Sequence, residues 1–173
     1  MKKEIQEYDV ELVPVSEKHI RLIFKHLGND AVLATYPETS PFTLKQSESY
    51  VSNAIKGRLN GTRFAFAIKA NKTFAGICAL CDIDQTIRKA ALYYWVAVEF
   101  WNQGIATKAL KKLIAFGKEE LGIQQFKTGV LERNVASVRV LEKNGFTVKE
   151  IITNNTTYHP KFKGERFLEM KLP

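Results

Sequence analysis

Trp101-Asn102-Gln103-Gly104-Ile105-Ala106-Thr107 decides how the rest of the chain is read, because of what stands on either side of it. Upstream, Ala91-Leu92-Tyr93-Tyr94-Trp95-Val96-Ala97-Val98 is aromatic and β-branched, the composition of a buried strand. Downstream, Lys108-Ala109-Leu110-Lys111-Lys112-Leu113-Ile114-Ala115-Phe116 repeats apolar residues at helical spacing. A turn of small residues between strand and helix aims several free backbone N–H groups at one point. The helix dipole adds partial positive charge there. Gly104 lets a ligand come close to the backbone, and Ala106 keeps the next contact small. The stretch reads as a phosphate-cradling turn; close helix–strand packing is the other use of such small residues.

Working outward, Tyr8 to Val15 alternates like a first strand. Ser16 is placed to cap a helix that Gly28 ends. Asn29 to Phe42, with Pro37 and Pro41, is expected to be loop. Thr43 begins a helix over Leu44 to Leu59 with Gln46 in the capping-box position. Arg63–Lys69 and Thr73–Asp82 are expected to form a hairpin, followed by a strand over Ala90–Val98. The helix after the turn should run to about Leu121, with Gly122 closing it. Gln125–Leu131, Phe146–Ile152 and Phe167–Leu172 read as strands, and Asn134–Asn144 as a short helix. The sum is an α/β (α+β) domain over residues 1–173, with a mixed, mostly antiparallel sheet and helices on both faces. The unit around residues 90–131 should be a right-handed parallel crossover.

The 173 residues carry a formal charge of +8, with 45% hydrophobic and 25% charged residues, ordinary for a globular chain. No apolar run approaches the ~20 residues of a membrane span, and no secretory signal follows Lys2 and Lys3, so a cytoplasmic protein without a membrane partner is expected. The positive charge suits an anionic ligand or simply solvated lysine. Its dispersal, with no arginine-rich run, speaks against nucleic acid. Cys78 and Cys81 are three apart on an expected strand and so face opposite ways. Two reduced, mostly buried thiols are expected, and no metal site.

Three blocks in register, Tyr93 through Thr107, then Asn134-x-x-Ser137, then Leu141-Glu142-Lys143-Asn144-Gly145-Phe146, resemble the GNAT superfamily of acetyl-CoA-dependent N-acetyltransferases. The pattern is most similar to the ribosomal-protein N-terminal alanine acetyltransferase (Rim-type) branch. Trp101 stands where many superfamily members carry Gln or Arg, a departure that this branch tolerates. The resemblance implies acetyl-CoA as co-substrate, its pyrophosphate held by the N–H groups of Gln103, Gly104, Ile105, Ala106 and Thr107. It implies main-chain groups of Val96 and Val98 along the pantetheine arm. Asn134 would reach the pantetheine or cap its own helix. Ser137 would serve the leaving thiolate or stand as a plain helix serine.

Direct transfer needs a neutral amine, and an α-amine near pKa ~8 loses its proton more readily than a lysine near ~10.4. Asp82 is the carboxylate assigned as candidate base, Tyr94 can extend a water chain, and Asp84, Glu132 and His159 are further candidates. The acceptor expected is a primary amine, either a protein N-terminus or a small amine such as a polyamine, amino acid or amino sugar. The chain itself is expected as a monomer or homodimer. A non-catalytic coenzyme A-binding or nucleic-acid-binding module on the same fold is the rival.

Overall fold

The computed structural model describes residues 7–40, 42–153 and 160–173. Along the chain they form β1 (Val10–Pro14), α1 (Ile20–Leu27), α2 (Asp30–Leu33), α3 (Leu44–Leu59), β2 (Phe64–Ala70), β3 (Thr73–Asp84) and β4 (Lys89–Val96). Then come α4 (Ile105–Glu119), β5 (Gln125–Leu131), α5 (Val135–Lys143), β6 (Thr147–Ile152) and β7 (Phe167–Leu172). Short 3-10 turns lie at Glu17–His19, Val98–Phe100 and Pro160–Phe162. The strands make one seven-stranded sheet in the order β1-β2-β3-β4-β5-β7-β6. Every neighbouring pair is antiparallel except β4 with β5. This is the mixed sheet expected, with the parallel crossover running β4–α4–β5.

Alternation along the strands sorts the core to two faces. Ile77, Ala79 and Trp95 pack with Ile23, Leu27, Val51 and Ala54 of α1 and α3. Cys78, Leu80 and Leu92 pack with Ile105, Leu110 and Leu113 of α4 and Leu141 of α5. Each fully buried Leu or Ile contributes roughly 1.5–3 kcal/mol, so both faces are closed by the apolar stripes of their helices. The two cysteines are free, Cys78 buried and Cys81 half-buried.

Several boundaries differ from expectation for local reasons. The Asn29–Phe42 segment holds α2, whose first turn is capped by Asn29 Oδ1 accepting the Ala31 N–H at 2.9 Å. The first helix starts with a 3-10 turn, because the Ser16 N–H donates to His19 Nδ1 at 3.0 Å and tightens the entry. β4 stops at Val96, so Val98 is not on the strand as expected. It opens a 3-10 turn and accepts the Trp101 N–H at 3.1 Å. β3 runs on to Asp84, so Asp82 and Asp84 lie at a strand end and not in a following loop. α4 ends at Glu119, just short of Leu121, and Gly122 follows with φ +65°. Among the described residues no helix is long and apolar enough to cross a membrane.

Candidate active site

The site begins with a break in the sheet. β4 pairs with β5 only over Lys89–Ala91 against Gln125–Lys127, although both strands continue beyond. β5 meanwhile stays paired with β7 over Phe126–Leu131. From Leu92 and Thr128 onward the two parallel strands therefore leave a wedge open at their C-terminal ends, where ligands of parallel sheets characteristically sit. Because Ala97 is bonded to Ala75, the antiparallel alternation turns the N–H groups of Tyr94 and Val96 away from β3 and toward the wedge.

At the end of β4 the chain makes a turn into α4 at the residues where the cradle is expected. Asn102 and Gly104 both take left-handed backbone, with φ of 59° and 74°, which curls the chain into the start of α4. Gly104 is the residue before the first helical turn, and a Cβ there would meet open space. The Lys108 N–H is the first to find a helical acceptor, the Gly104 carbonyl at 3.1 Å. Among the described residues the N–H groups of Gln103, Gly104, Ile105, Ala106 and Thr107 have no acceptor within the protein. Five free donors at a positive helix end are the arrangement an anion would need. The Gln103 amide nitrogen donates to the Glu99 carbonyl at 2.8 Å, while its Oε1 is buried without a partner. Trp101 earns its place in the turn: its indole N–H donates to the Val96 carbonyl at 2.7 Å and braces the strand end against the cradle. Val96 thus keeps its N–H for a ligand but not its carbonyl.

Across the wedge, Tyr94 of β4 meets Ser137 of α5, with the two hydroxyl oxygens 2.7 Å apart. The Asn134 side chain accepts the Ser137 N–H at 3.2 Å, so Asn134 is the cap of α5 and frames the serine from below. Burial pushes the Tyr94 phenol up to about 12, with the Ser137 hydroxyl pulling the other way. Near neutral pH the pair is therefore two protonated hydroxyls, a donor chain and not a base.

The acidic candidates lie elsewhere. Tyr94 is opposite Cys78 in the ladder, and Asp82 is four residues farther along β3, about 13 Å at ~3.3 Å per residue. Asp82 is exposed at φ 47°, beside the register break. Asp84 Oδ1 accepts the Thr86 and Ile87 N–H groups at 2.9 and 3.3 Å, a turn that holds its carboxyl below the usual range. Glu132 pairs with Arg166 at 3.1 Å. His159 lies outside the described residues. No group of His, Cys, Asp and Glu among the described residues could hold a metal ion.

Sequence reasoning missed the other side of β4. Tyr93, next to Tyr94 but on the opposite face, shares a 2.9 Å hydroxyl pair with Tyr50 of α3. It also missed a long-range clasp, in which Arg133 donates to the Ala34 carbonyl at 2.9 Å and Lys161 to the carbonyls of Leu33 and Glu38. None of these contacts leaves a local pattern in the sequence.

Comparison with known proteins agrees with this architecture. The family described as "Acetyltransferase (GNAT) domain" matches residues 9–147. The uncharacterized N-acetyltransferase YoaA of Bacillus subtilis is 24% identical over 140 residues, 80% of this chain and 79% of its own. The spermidine N(1)-acetyltransferase of Escherichia coli (strain K12) is 22% identical over 144 residues, 82% of this chain and 75% of its own. Among solved structures, RimL, a ribosomal L7/L12 alpha-N-protein acetyltransferase in complex with coenzyme A, superposes with a TM-score of 0.83 at 21% identity, covering 94% of this chain and 93% of that one. RimJ of Mycobacterium smegmatis, in complex with CoA-disulfide, gives 0.85 at 20% identity, over 94% and 81%. Spermidine N-acetyltransferase of Vibrio cholerae, in complex with CoA and spermine, gives 0.81 at 16%, over 94% of each. These likenesses show the fold, and the family match shows the chemistry class: the chain belongs to the GNAT acetyltransferase family and is an acyltransferase enzyme.

Proposed function

We propose that this N-acetyltransferase moves an acetyl group from acetyl-CoA to the α-amino group of a polypeptide N-terminus. The observation that carries the transfer is the wedge itself, with five N–H groups at its mouth that have no partner among the described residues and the Tyr94–Ser137 hydroxyl pair across it. Coenzyme A suits these residues: the N–H groups of Gln103 to Thr107 would hold the pyrophosphate, and charge-assisted hydrogen bonds contribute roughly 1.5–3 kcal/mol each without any arginine. That RimL, RimJ and the spermidine enzyme are complexes with coenzyme A supports the same assignment. The single sheet supports one domain over residues 1–173.

Acetyl-CoA supplies the acetyl group as a thioester. The N–H groups of Tyr94 and Val96 are positioned to take charge developing on an oxygen in the wedge. Ser137 Oγ gives a proton on the sulfur side, and Tyr94 Oη restores it. As the N–C bond forms and the C–S bond breaks, the neutral amine sheds one proton, which water returns to Tyr94 Oη; the ammonium must have lost its first proton to bulk water beforehand. An α-amine of pKa ~8 does so readily, while a lysine or polyamine near ~10.4 stays charged. Asp82, displaced along β3, is given no step.

The test is thiol release from acetyl-CoA with a peptide bearing a free α-amine, its N-blocked lysine-bearing twin, and spermidine. Turnover of the free α-amine peptide is expected. Turnover confined to spermidine or to the lysine peptide would overturn the acceptor assignment.

A further inference from the structure

Tyr93 and Tyr94 are adjacent on β4 and point to opposite faces of the sheet, so whatever Tyr93 faces lies one residue from the reacting centre, on the side α5 does not cover. Three phenols gather there: Tyr50 and Tyr93 with hydroxyls 2.9 Å apart, and Tyr36 in the same packing cluster. Arg63, just before β2, brings its guanidinium to 6.0 Å from the Tyr93 ring centre. Its charge reaches all three phenols and Cys81. Among the described residues it has no carboxylate at ion-pair distance. The carboxylates of Glu38 and Asp82 act on Tyr36 and Cys81 in the same cluster, but among the described residues neither comes within ion-pair distance of the half-buried guanidinium, whose nearest neighbours include the phenols. Lys127 of β5 lies on the same side and its charge reaches Cys81 as well. Arg133 and Lys161 hold the 33–38 segment, which carries Tyr36, by bonds to the Leu33, Ala34 and Glu38 carbonyls.

We propose that Arg63, with the hydroxyls of Tyr50 and Tyr93, anchors an anionic group carried by the amine acceptor, so that the preferred acceptors are amines bearing a nearby carboxylate or phosphate. This rests on the transfer reading above and adds the acceptor's charge to it. A guanidinium presents planar paired donors that match a carboxylate or a phosphate, and it forms its strongest hydrogen bonds where water is partly excluded. The phenols stay protonated at neutral pH because burial raises them, Tyr93 to about 12, so the one of the 2.9 Å pair that does not donate to the other is left to donate to an anion. A polycation meets Arg63 and Lys127 as like charges.

The experiment measures kcat/KM for three peptides alike except at the second residue, which is Asp, phosphoserine or Asn, with spermidine alongside. Acetyl-CoA binding is followed by calorimetry. The wild type should favour at least one anionic peptide by about 10-fold, mostly through KM, and added salt should shrink the preference. The Asp and phosphoserine arms separate carboxylate from phosphate. Arg63→Gln should erase the preference and Arg63→Lys retain part of it, both with unchanged acetyl-CoA affinity. Equal turnover of all three peptides, or a preference that survives Arg63→Gln, overturns the anchor and leaves the transfer reading standing. Preference for spermidine over every peptide overturns both.

Discussion

Tyr93 and Tyr94 make the sharpest comparison in the molecule. They are neighbours in sequence, both are half-buried with phenols raised to about 12, and each shares a short hydroxyl pair, at 2.9 and 2.7 Å. Their partners differ in kind. Tyr94 reaches a serine on α5, across a gap in the sheet and beside a row of free N–H groups. Tyr93 reaches another tyrosine on α3, beside a guanidinium that makes no ion pair among the described residues. A strand reverses its side chain at every residue, so one strand can serve a proton donor on one face and a recognition surface on the other.

The largest effect should separate the two in kinetics. Ser137→Ala is expected to lower kcat by about 100-fold with little change in acceptor KM, since it removes proton transfer alone. Tyr50→Phe should raise acceptor KM by about 5-fold, the worth of roughly 1 kcal/mol for one hydrogen bond, and hold kcat. Steady-state kinetics of both variants checks this, and a kcat effect from Tyr50→Phe matching that of Ser137→Ala would erase the contrast.

A second effect should make the two tyrosines alike. The phenols ionise near 10 in the unfolded chain and near 12 in the folded one, so between these values the native state holds protons the unfolded state has lost. Stability should therefore be full below pH 10 and fall as pH rises toward 12, on the order of 2 kcal/mol per phenol. Urea unfolding across that range should show a shallower fall in both Tyr93→Phe and Tyr94→Phe. A fall as steep as the wild type's in either variant would show that its phenol does not carry the effect.

The smallest effect concerns only the Tyr94 side. Asn134→Ala should cost about 1 kcal/mol by uncapping α5, a Tm drop of ~2–4 °C, and should lower kcat by loosening Ser137. Asn134→Asp should restore the melting temperature, because a carboxylate caps equally well. Thermal melts and kcat for both variants decide it.

The legible parts of this chain were those written locally. The α3 boundaries follow from Thr43 and Gln46, whose reciprocal hydrogen bonds at 3.2 and 2.9 Å close a box within four residues. β5 and β7 fall at the bounds read from their apolar runs. The turn into α4 was legible because Gly104 and Ala106 sit between a strand pattern and a helix pattern. α2 was not, since four residues are too few to show periodicity between Asn29 and Pro37. The early end of β4 was hidden because Val98 continues the apolar run beyond Ala97, the last residue bonded to β3. The Tyr50–Tyr93 pair joins residues 43 positions apart, and only the packing of α3 on the sheet brings them together.

The wedge also carries a thermodynamic consequence. Had β4 stayed with β5 to its end, the N–H groups of Tyr94 and Val96 would have joined the ladder, each worth about 1 kcal/mol against a total of roughly 5–15. The native state therefore stands below the stability its own strands could reach, and a substitution that zipped the gap shut would yield a tougher protein with nowhere to put its substrate.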